Sequence, residues 1–335
     1  MQPVLQGLQQ YGFALLPPAF LQDITLDAMR CEASGLLEQA EAQHCCDGGD
    51  LASVQQLAEQ RGCIFQVLPE LVPGHVARAD AASYFKQRDS WPCCQGVTTF
   101  LQRPQLLQLL QAALGSTAVL LYNEQYIIKP PHSRGSAFGW HYDSQWCDKQ
   151  YSPYLSLWVA LDDMTAENGC LVVLPGSRGN KQTCNSSVSS RIEACELAGQ
   201  AVPQSQQAPD VQQVQFIGMN SLEVLLAKLS RICSQAGADT AADAAATSEN
   251  ASSPGDLQDR ASSSCHASWP GHTTGCAVGL EVPAGTAVLL RDDLWHCSGP
   301  NSSCHSRTAY MAQFSSRPIA RSGDGRLVGL AVPLC

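Results

Sequence analysis

His141 and Asp143 stand two residues apart in Trp140-His141-Tyr142-Asp143. The segment reads as a β-strand, where side chains alternate faces. Both groups would then project to one side, with Tyr142 to the other. An imidazole beside a carboxylate is two thirds of a 2-His-1-carboxylate set, the arrangement that holds Fe(II) and leaves coordination positions open. Alone, so short a pair also reads as two hydrogen-bonded residues at a strand end. The rest of the pattern lies downstream. His296 sits in Leu294-Trp295-His296-Cys297-Ser298-Gly299, and Arg307 opens a strand eleven residues later. Two imidazoles and a carboxylate neutralise part of the ferrous charge and fill one face of an octahedron. A 2-oxo acid can chelate the iron through two oxygens, and O2 takes the remaining position. The far carboxylate of 2-oxoglutarate needs a planar, bidentate cation, which Arg307 supplies better than a lysine would. Ser298, two residues from His296, can share its face and hydrogen-bond the same carboxylate.

The elements that must position these groups are readable in outline. Residues 2–10 read as a short amphipathic helix, 11–16 as a strand stopped by Pro17-Pro18, and 21–43 and 51–61 as helices. Residues 63–85 are ambiguous. Residues 103–115 are a clearer helix: Pro104 suits the first turn, the leucines recur at helical spacing, and Gly115 suits a left-handed cap. The period then changes to two. Strands are expected at 118–122, 125–129, 154–161, 170–174, 278–283, 286–290 and 307–314, with a loop at 132–139 and a turn at 162–169. Short strands separated by turns indicate a sandwich or barrel. From about residue 180 to 274 Ser, Gln, Ala and Asn dominate. A helix is expected around Ser221–Leu226, and the low-complexity stretch at about 237–270 is expected to be disordered.

Composition narrows the function classes. The 335 residues carry a net charge of −10, a poor match for nucleic-acid phosphates or an anionic membrane. No apolar run is long enough to span a bilayer. The N-terminus lacks a basic start and apolar core, and Ala331-Val332-Pro333-Leu334-Cys335 is not a peroxisomal tag. An intracellular, cytoplasmic protein is expected, with its sixteen cysteines mostly reduced and packed as small hydrophobes. A monomer acting on a small molecule is the default expectation.

Taken together, the stretches resemble the phytanoyl-CoA dioxygenase (PhyH) family of Fe(II)/2-oxoglutarate oxygenases. The resemblance rests on Tyr11-Gly12-Phe13, Ile128-Lys129-Pro130-Pro131, His141-Tyr142-Asp143, Trp158 to Asp163, Glu167 to Ser177, and His296-x-Ser298-Gly299-x-Asn301 with Arg307. It covers most of the chain apart from about 181–276. It implies one domain over 1–335 with 181–276 as an insertion. It implies a mainly β fold with helices: a double-stranded β-helix (jelly-roll, cupin-like) core flanked by N-terminal helices. It further implies iron ligation by His141, Asp143 and His296. The cosubstrate 2-oxoglutarate would be held by Arg307 and Ser298, with Trp158 on the pocket wall. Gln125 matches a family cosubstrate-contacting position by its place along its strand, and an upstream lysine of the family corresponds to Lys86. The implied reaction uses O2 and 2-oxoglutarate, releases succinate and CO2, and hydroxylates a C–H bond of a small or lipid-like metabolite. The carboxylate Asp143 argues against halogenation, because related halogenases lack it to admit halide. One departure is Arg178, where the family often has His after Pro-Gly-Ser.

Blander readings stand beside these. Trp158 is equally a core aromatic, Arg307 a surface ion-pair residue and Lys129 a strand-end residue. Two other classes remain open: a non-catalytic jelly-roll binding or sensing module, and a cupin-like zinc or manganese enzyme that does not use 2-oxoglutarate.

Overall fold

Two β-sheets share one apolar layer, and helices cover the far side of the larger sheet. The computed structural model describes residues 1–16, 20–21, 23–46, 64–66, 81–90, 95–133, 136–146, 154–179, 213–218, 276–320, 325, 327 and 329–335. The helices are α1 (Gln2–Tyr11), α2 (Asp23–Cys46), α3 (Ala81–Arg88), α4 (Gln95–Leu101) and α5 (Pro104–Leu114). Among them lie β1 (Phe13–Leu15) and β2 (Ile64–Gln66). The chain beyond is nearly all β: β3 (Leu120–Lys129), β4 (Phe138–His141), β5 (Tyr154–Ala160), β6 (Leu171–Val173) and β7 (Gln213–Gly218). It continues with β8 (Cys276–Glu281), β9 (Ala287–Arg291), β10 (His296–Ser298), β11 (Arg307–Ser315) and β12 (Val332–Pro333).

The larger sheet runs β1-β9-β5-β11-β3-β12, with β2 also paired to β3; the smaller runs β4-β10-β6-β8-β7. Successive strands cross between the sheets from β3 to β6 and again from β8 to β11, so the core is the expected double-stranded β-helix with helices packed on it. Strand alternation decides what each face does. One face of the larger sheet meets the smaller sheet through Trp158, Val288, Leu290, Leu171 and Val173. The other buries Leu121, Tyr126, Leu157 and Phe314 against the helices.

Several elements match their sequence logic. Pro104 opens α5, and Gly115 caps it at φ 62°, a left-handed conformation that glycine adopts without strain. Other elements depart from it. Residues 118–122 and 125–129 form one strand rather than two, because Asn123 and Glu124 find side-chain partners on either face of the sheet. Gln213–Gly218 is a strand parallel to β8, inside the insertion, where no strand was expected; the helix expected around 221–226, the one at 51–61 and the stretch at 237–270 lie outside the described residues. Strands β10 and β12 are too short to carry an alternation signal. Cys31 on α2 is disulfide-bonded, a departure from the reduced state expected, whereas Cys170, Cys297, Cys304 and Cys335 are free. Among the described residues no helix is long and apolar enough to cross a membrane.

A buried polar cluster fastens α2 and α3 to the back of the larger sheet. Arg88 donates to Glu124 through Nε (2.8 Å) and Nη2 (2.9 Å), and to Glu32 through Nη2 (2.9 Å). Tyr84 (2.5 Å) and Tyr310 donate to Glu124, and Tyr126 donates to Glu32 (2.6 Å). Burial opposes the guanidinium charge, but the two carboxylates outweigh it and hold the Arg88 pKa above its ordinary value. Removing the arginine leaves buried carboxylates uncompensated. Arg88→Met is expected to lower stability by about 3–5 kcal/mol, read as a shift in the denaturant midpoint of the whole chain.

Candidate active site

Strands β4 and β10 are antiparallel neighbours, and their register sets His141 directly opposite His296. The two rings lie 4.2 Å apart between centroids. In each, Nδ1 lies against a backbone carbonyl two residues earlier: Gly139 O at 2.8 Å for His141 and Leu294 O at 2.9 Å for His296. A carbonyl can only accept, so Nδ1 carries the proton and donates it. In the neutral ring Nε2 then keeps the lone pair.

Asp143 reaches the same point by a different route from the one expected. Strand β4 ends at His141, and Asp143 opens a short 3₁₀ turn, Asp143–Trp146. Its Oδ1 lies 3.5 Å from His296 Nε2 and 4.0 Å from His141 Nε2. Its Oδ2 accepts from Ser156 Oγ at 2.5 Å and Gln313 Nε2 at 3.2 Å. Gln313 also donates to Ser156 Oγ (3.0 Å) and accepts from Asn123 Nδ2 (3.1 Å). Thus one carboxylate oxygen faces the imidazoles and the other is fixed to the larger sheet. One donor atom from each of His141, Asp143 and His296 falls within 4.8 Å of the others. Two neutral imidazoles and a carboxylate, each held from behind, fit a divalent first-row cation.

The charges at Asp143 and His141 favour that state, and His296 departs from it. Burial would raise the Asp143 pKa, but the two imidazoles and the Ser156 hydrogen bond hold it at about 2. Burial and then the neighbouring His296 push His141 down to about 4. At His296 burial disfavours charge, but Asp143 outweighs it and holds the pKa above the ordinary value.

A second cluster flanks the first. Arg307 and Lys129 are register partners on β11 and β3, and both are almost fully buried. Arg307 donates through Nη2 to the Gly169 carbonyl, and its guanidinium lies 5.6 Å from the Trp158 ring centre. Its Nε is buried with no hydrogen-bond partner among the described residues. Lys129 Nζ donates to Ser298 Oγ at 2.7 Å and to the Gly299 carbonyl. Trp158 is both core and wall, as its two readings allowed. Gln125, buried on the same face of β3, accepts from Asn123 Nδ2 at 3.3 Å.

One placement at this cluster differs from expectation. Lys86 is exposed on α3, whose Arg88 meets the opposite face of β3 from Lys129, so the structure does not bring Lys86 to the cluster. The upstream cation beside Arg307 is Lys129. Arg178 is exposed, with Nη1 3.5 Å from Asp293 Oδ2. Lys129, Ser156, Gln313 and Asn123 were not expected at the site. Lys129 was within reach of the sequence, because it shares strand parity with Gln125. Ser156 and Gln313 carry no local signal, since their role depends on β5 and β11 passing beneath a turn far away in the chain.

Comparisons with known proteins place the chain. The model of the family described as Phytanoyl-CoA dioxygenase (PhyH) matches residues 8–202, more than half of the sequence. The chain belongs to that family. The matched span includes His141 and Asp143 and ends before His296. A Bos taurus protein, "Phytanoyl-CoA dioxygenase domain-containing protein 1", is 36% identical over 72 residues, which is 21% of this chain and 24% of that one. The match thus spans about a quarter of that relative's length. Among solved structures, the epimerase SnoN in complex with Fe3+, alpha ketoglutarate and nogalamycin RO aligns over 100% of this chain and 98% of its own. The TM-score is 0.50 at 14% identity, a likeness of fold.

Two outcomes test the centre. Ser156→Ala and Gln313→Ala are each expected to weaken metal affinity about 10- to 100-fold in a chelator competition, with an unchanged circular dichroism spectrum. A metal ion must displace the proton that Asp143 favours on His296. Affinity is therefore expected to fall as pH drops through the raised His296 pKa and to level off above it, read by the same competition across pH.

Proposed function

We propose that this member of the phytanoyl-CoA dioxygenase family is an Fe(II)/2-oxoglutarate-dependent oxygenase that hydroxylates a C–H bond of a small or lipid-like metabolite. The observation that carries the reading is the convergence of His141 Nε2, His296 Nε2 and Asp143 Oδ1, with every outer atom of those three groups tied off. That tying-off is what separates a ligand set from a chance cluster. The bound iron, with O2 and 2-oxoglutarate, supplies an oxidation in which R–H becomes R–OH while 2-oxoglutarate yields succinate and CO2.

The chain's residues do the rest. His141 and His296 would hold the metal through Nε2, their Nδ1 protons committed to Gly139 and Leu294. Asp143 would fill a third position through Oδ1, which leaves no place for a halide and supports hydroxylation. Ser156 and Gln313 keep that oxygen aimed by holding the other. The second cluster suits the far carboxylate of the cosubstrate. Arg307 Nε is a buried donor without a partner among the described residues, and it stands beside the Ser298 hydroxyl's neighbour Lys129. A carboxylate is the group that such a donor lacks. Trp158 against the guanidinium keeps water from it. The fold leaves the outcome open, since SnoN is described as an epimerase; the carboxylate ligand favours hydroxylation, desaturation or another oxidation over halogenation. Residues 1–335 would act as one domain, monomeric, with 181–276 as an insertion.

The test is anaerobic. Fe(II) and then 2-oxoglutarate, added to the whole chain, are expected to give the weak visible band of a metal-chelated 2-oxo acid. Asp143→Ala should abolish the band, and Arg307→Ala should raise the 2-oxoglutarate concentration needed for it by about 100-fold. A folded wild-type protein without the band would overturn the reading in favour of a binding module or another metal.

A further inference from the structure

Three carboxamides form a chain that starts at the Asp143 carboxylate and runs out along the site face of the larger sheet. Gln313 Nε2 donates to Asp143 Oδ2 at 3.2 Å, and Gln313 Oε1 accepts from Asn123 Nδ2 at 3.1 Å. Asn123 Nδ2 also donates to Gln125 Oε1 at 3.3 Å. A metal-holding carboxylate only accepts, so it sets the orientation of each amide in turn. Gln313 turns its NH2 to Asp143 and its oxygen to Asn123. Asn123 answers with its own NH2, which also meets the Gln125 oxygen. Two outer atoms remain: an acceptor, Asn123 Oδ1, and a donor, Gln125 Nε2. Among the described residues neither has a partner. Neither is sealed in, because the fully buried side-chain atoms without a partner are Thr98 Oγ1, Ser144 Oγ and Arg307 Nε. Asn123 stands six residues from Lys129 on β3. That is about 20 Å along the strand, so this end is separate from the cation cluster.

The neighbours of the free pair are apolar. Met311, the register partner of Gln125, and Ile127 are partly buried and pack on the inner core. Beyond Asn123 the β3–β11 ladder carries an irregularity, and there the Tyr122 and Tyr154 rings lie 5.1 Å apart and cluster with Ile319. The geometry points to a subsite for a substrate amide: Asn123 Oδ1 accepts the N–H and Gln125 Nε2 donates to the C=O of a lactam, imide or primary carboxamide carried on an apolar body. Those groups present a donor and an acceptor side by side, the complement of the pair in the wall. This rests on the reading of the protein as a 2-oxoglutarate-dependent oxygenase and names its substrate class. Gln125 then meets the substrate rather than the cosubstrate. An ester or ketone offers acceptors only. Covering the wall with one leaves Asn123 Oδ1 desolvated and unpaired, which costs more than the missing bond would contribute. The same chain ties the bound amide, through Asn123 and Gln313, to the carboxylate that holds the metal. The amide therefore sets where the rest of the substrate lies relative to the oxidising centre.

The experiment uses the full chain with Zn(II) and 2-oxoglutarate, a complex in which no oxidation occurs. The probes are rings of one size: 2-piperidone, N-methyl-2-piperidone and cyclohexanol. Dissociation constants are read by ligand-observed NMR. The wild type is expected to bind 2-piperidone about 10-fold more tightly than either other ring. Gln125→Met, which keeps the length of the side chain and removes the donor, should weaken 2-piperidone about 10-fold. Asn123→Leu should do the same and also erase the preference over N-methyl-2-piperidone. Cyclohexanol serves as the control for the apolar wall, and each variant should bind it as the wild type does. A wild-type protein that does not bind 2-piperidone, or binds all three rings alike, would overturn the inference. So would a lactam preference that survives Asn123→Leu. Those outcomes leave the oxygenase reading standing, because the anaerobic Fe(II) band tests it separately. A missing band beside an intact lactam preference would overturn the oxygenase reading and keep the amide subsite.

Discussion

The site depends on one cross-strand register. His141 and His296 face each other because β4 and β10 pair in a single alignment. A slip of β4 by one residue would send His141 to the outside of the smaller sheet, since strand side chains alternate with period two. Nothing within β4 or β10 enforces that alignment, as both strands are very short. It is fixed by neighbours: β10 also pairs with β6, whose Val173 aligns with His296 and whose Leu171 aligns with Ser298. The apolar residues of β6 and β8 buried against the larger sheet thus hold the register. Packing energy in the core is translated into the position of two nitrogen atoms.

The larger sheet serves two polar systems at once and keeps them apart by parity. On β3, Gln125 and Lys129 turn toward the site, while Glu124 and Tyr126 turn toward the helices. On β11, Arg307 and Gln313 turn inward and Tyr310 outward. The helix-side system is closed: Arg88 meets two carboxylates, and three tyrosines donate to them. The site-side system is open, with a lone guanidinium nitrogen and a cation held only by neutral oxygens. A buried network that is satisfied stabilises a fold, and one that is not awaits a ligand.

Much of this was legible in the sequence, and the limits have physical causes. His141, Asp143, His296, Ser298 and Arg307 were readable because ligand chemistry restricts residue type and the jelly roll fixes their order. Short strands between turns indicated a sandwich or barrel, and the family resemblance narrowed it to a jelly roll. Asp143 was placed on a strand because parity predicts the same facing that a tight 3₁₀ turn also produces. Lys86 came from the resemblance as an upstream lysine, and order along the chain does not report which face of a sheet a helix packs on. Ser156 and Gln313 became partners of Asp143 through tertiary proximity alone. Strand β7 escaped notice because Val214 and Phe216 are exposed, with Phe216 lying over Gly279 of β8.

The turn at Gly169 bears on how such a protein can diverge. Its φ of 75° is open to glycine, and a side chain there would run into the Gly299 and Pro300 carbonyls. The same residue's own carbonyl receives Arg307, and the Gly299 carbonyl receives Lys129. The rim of the cation pocket is therefore main chain on two sides. Main-chain atoms do not change when residues are exchanged, so drift in the surrounding side chains leaves the dimensions of that end untouched. Change in what the site accepts has to come from residues beyond that rim, and the two parts are free to evolve at different speeds.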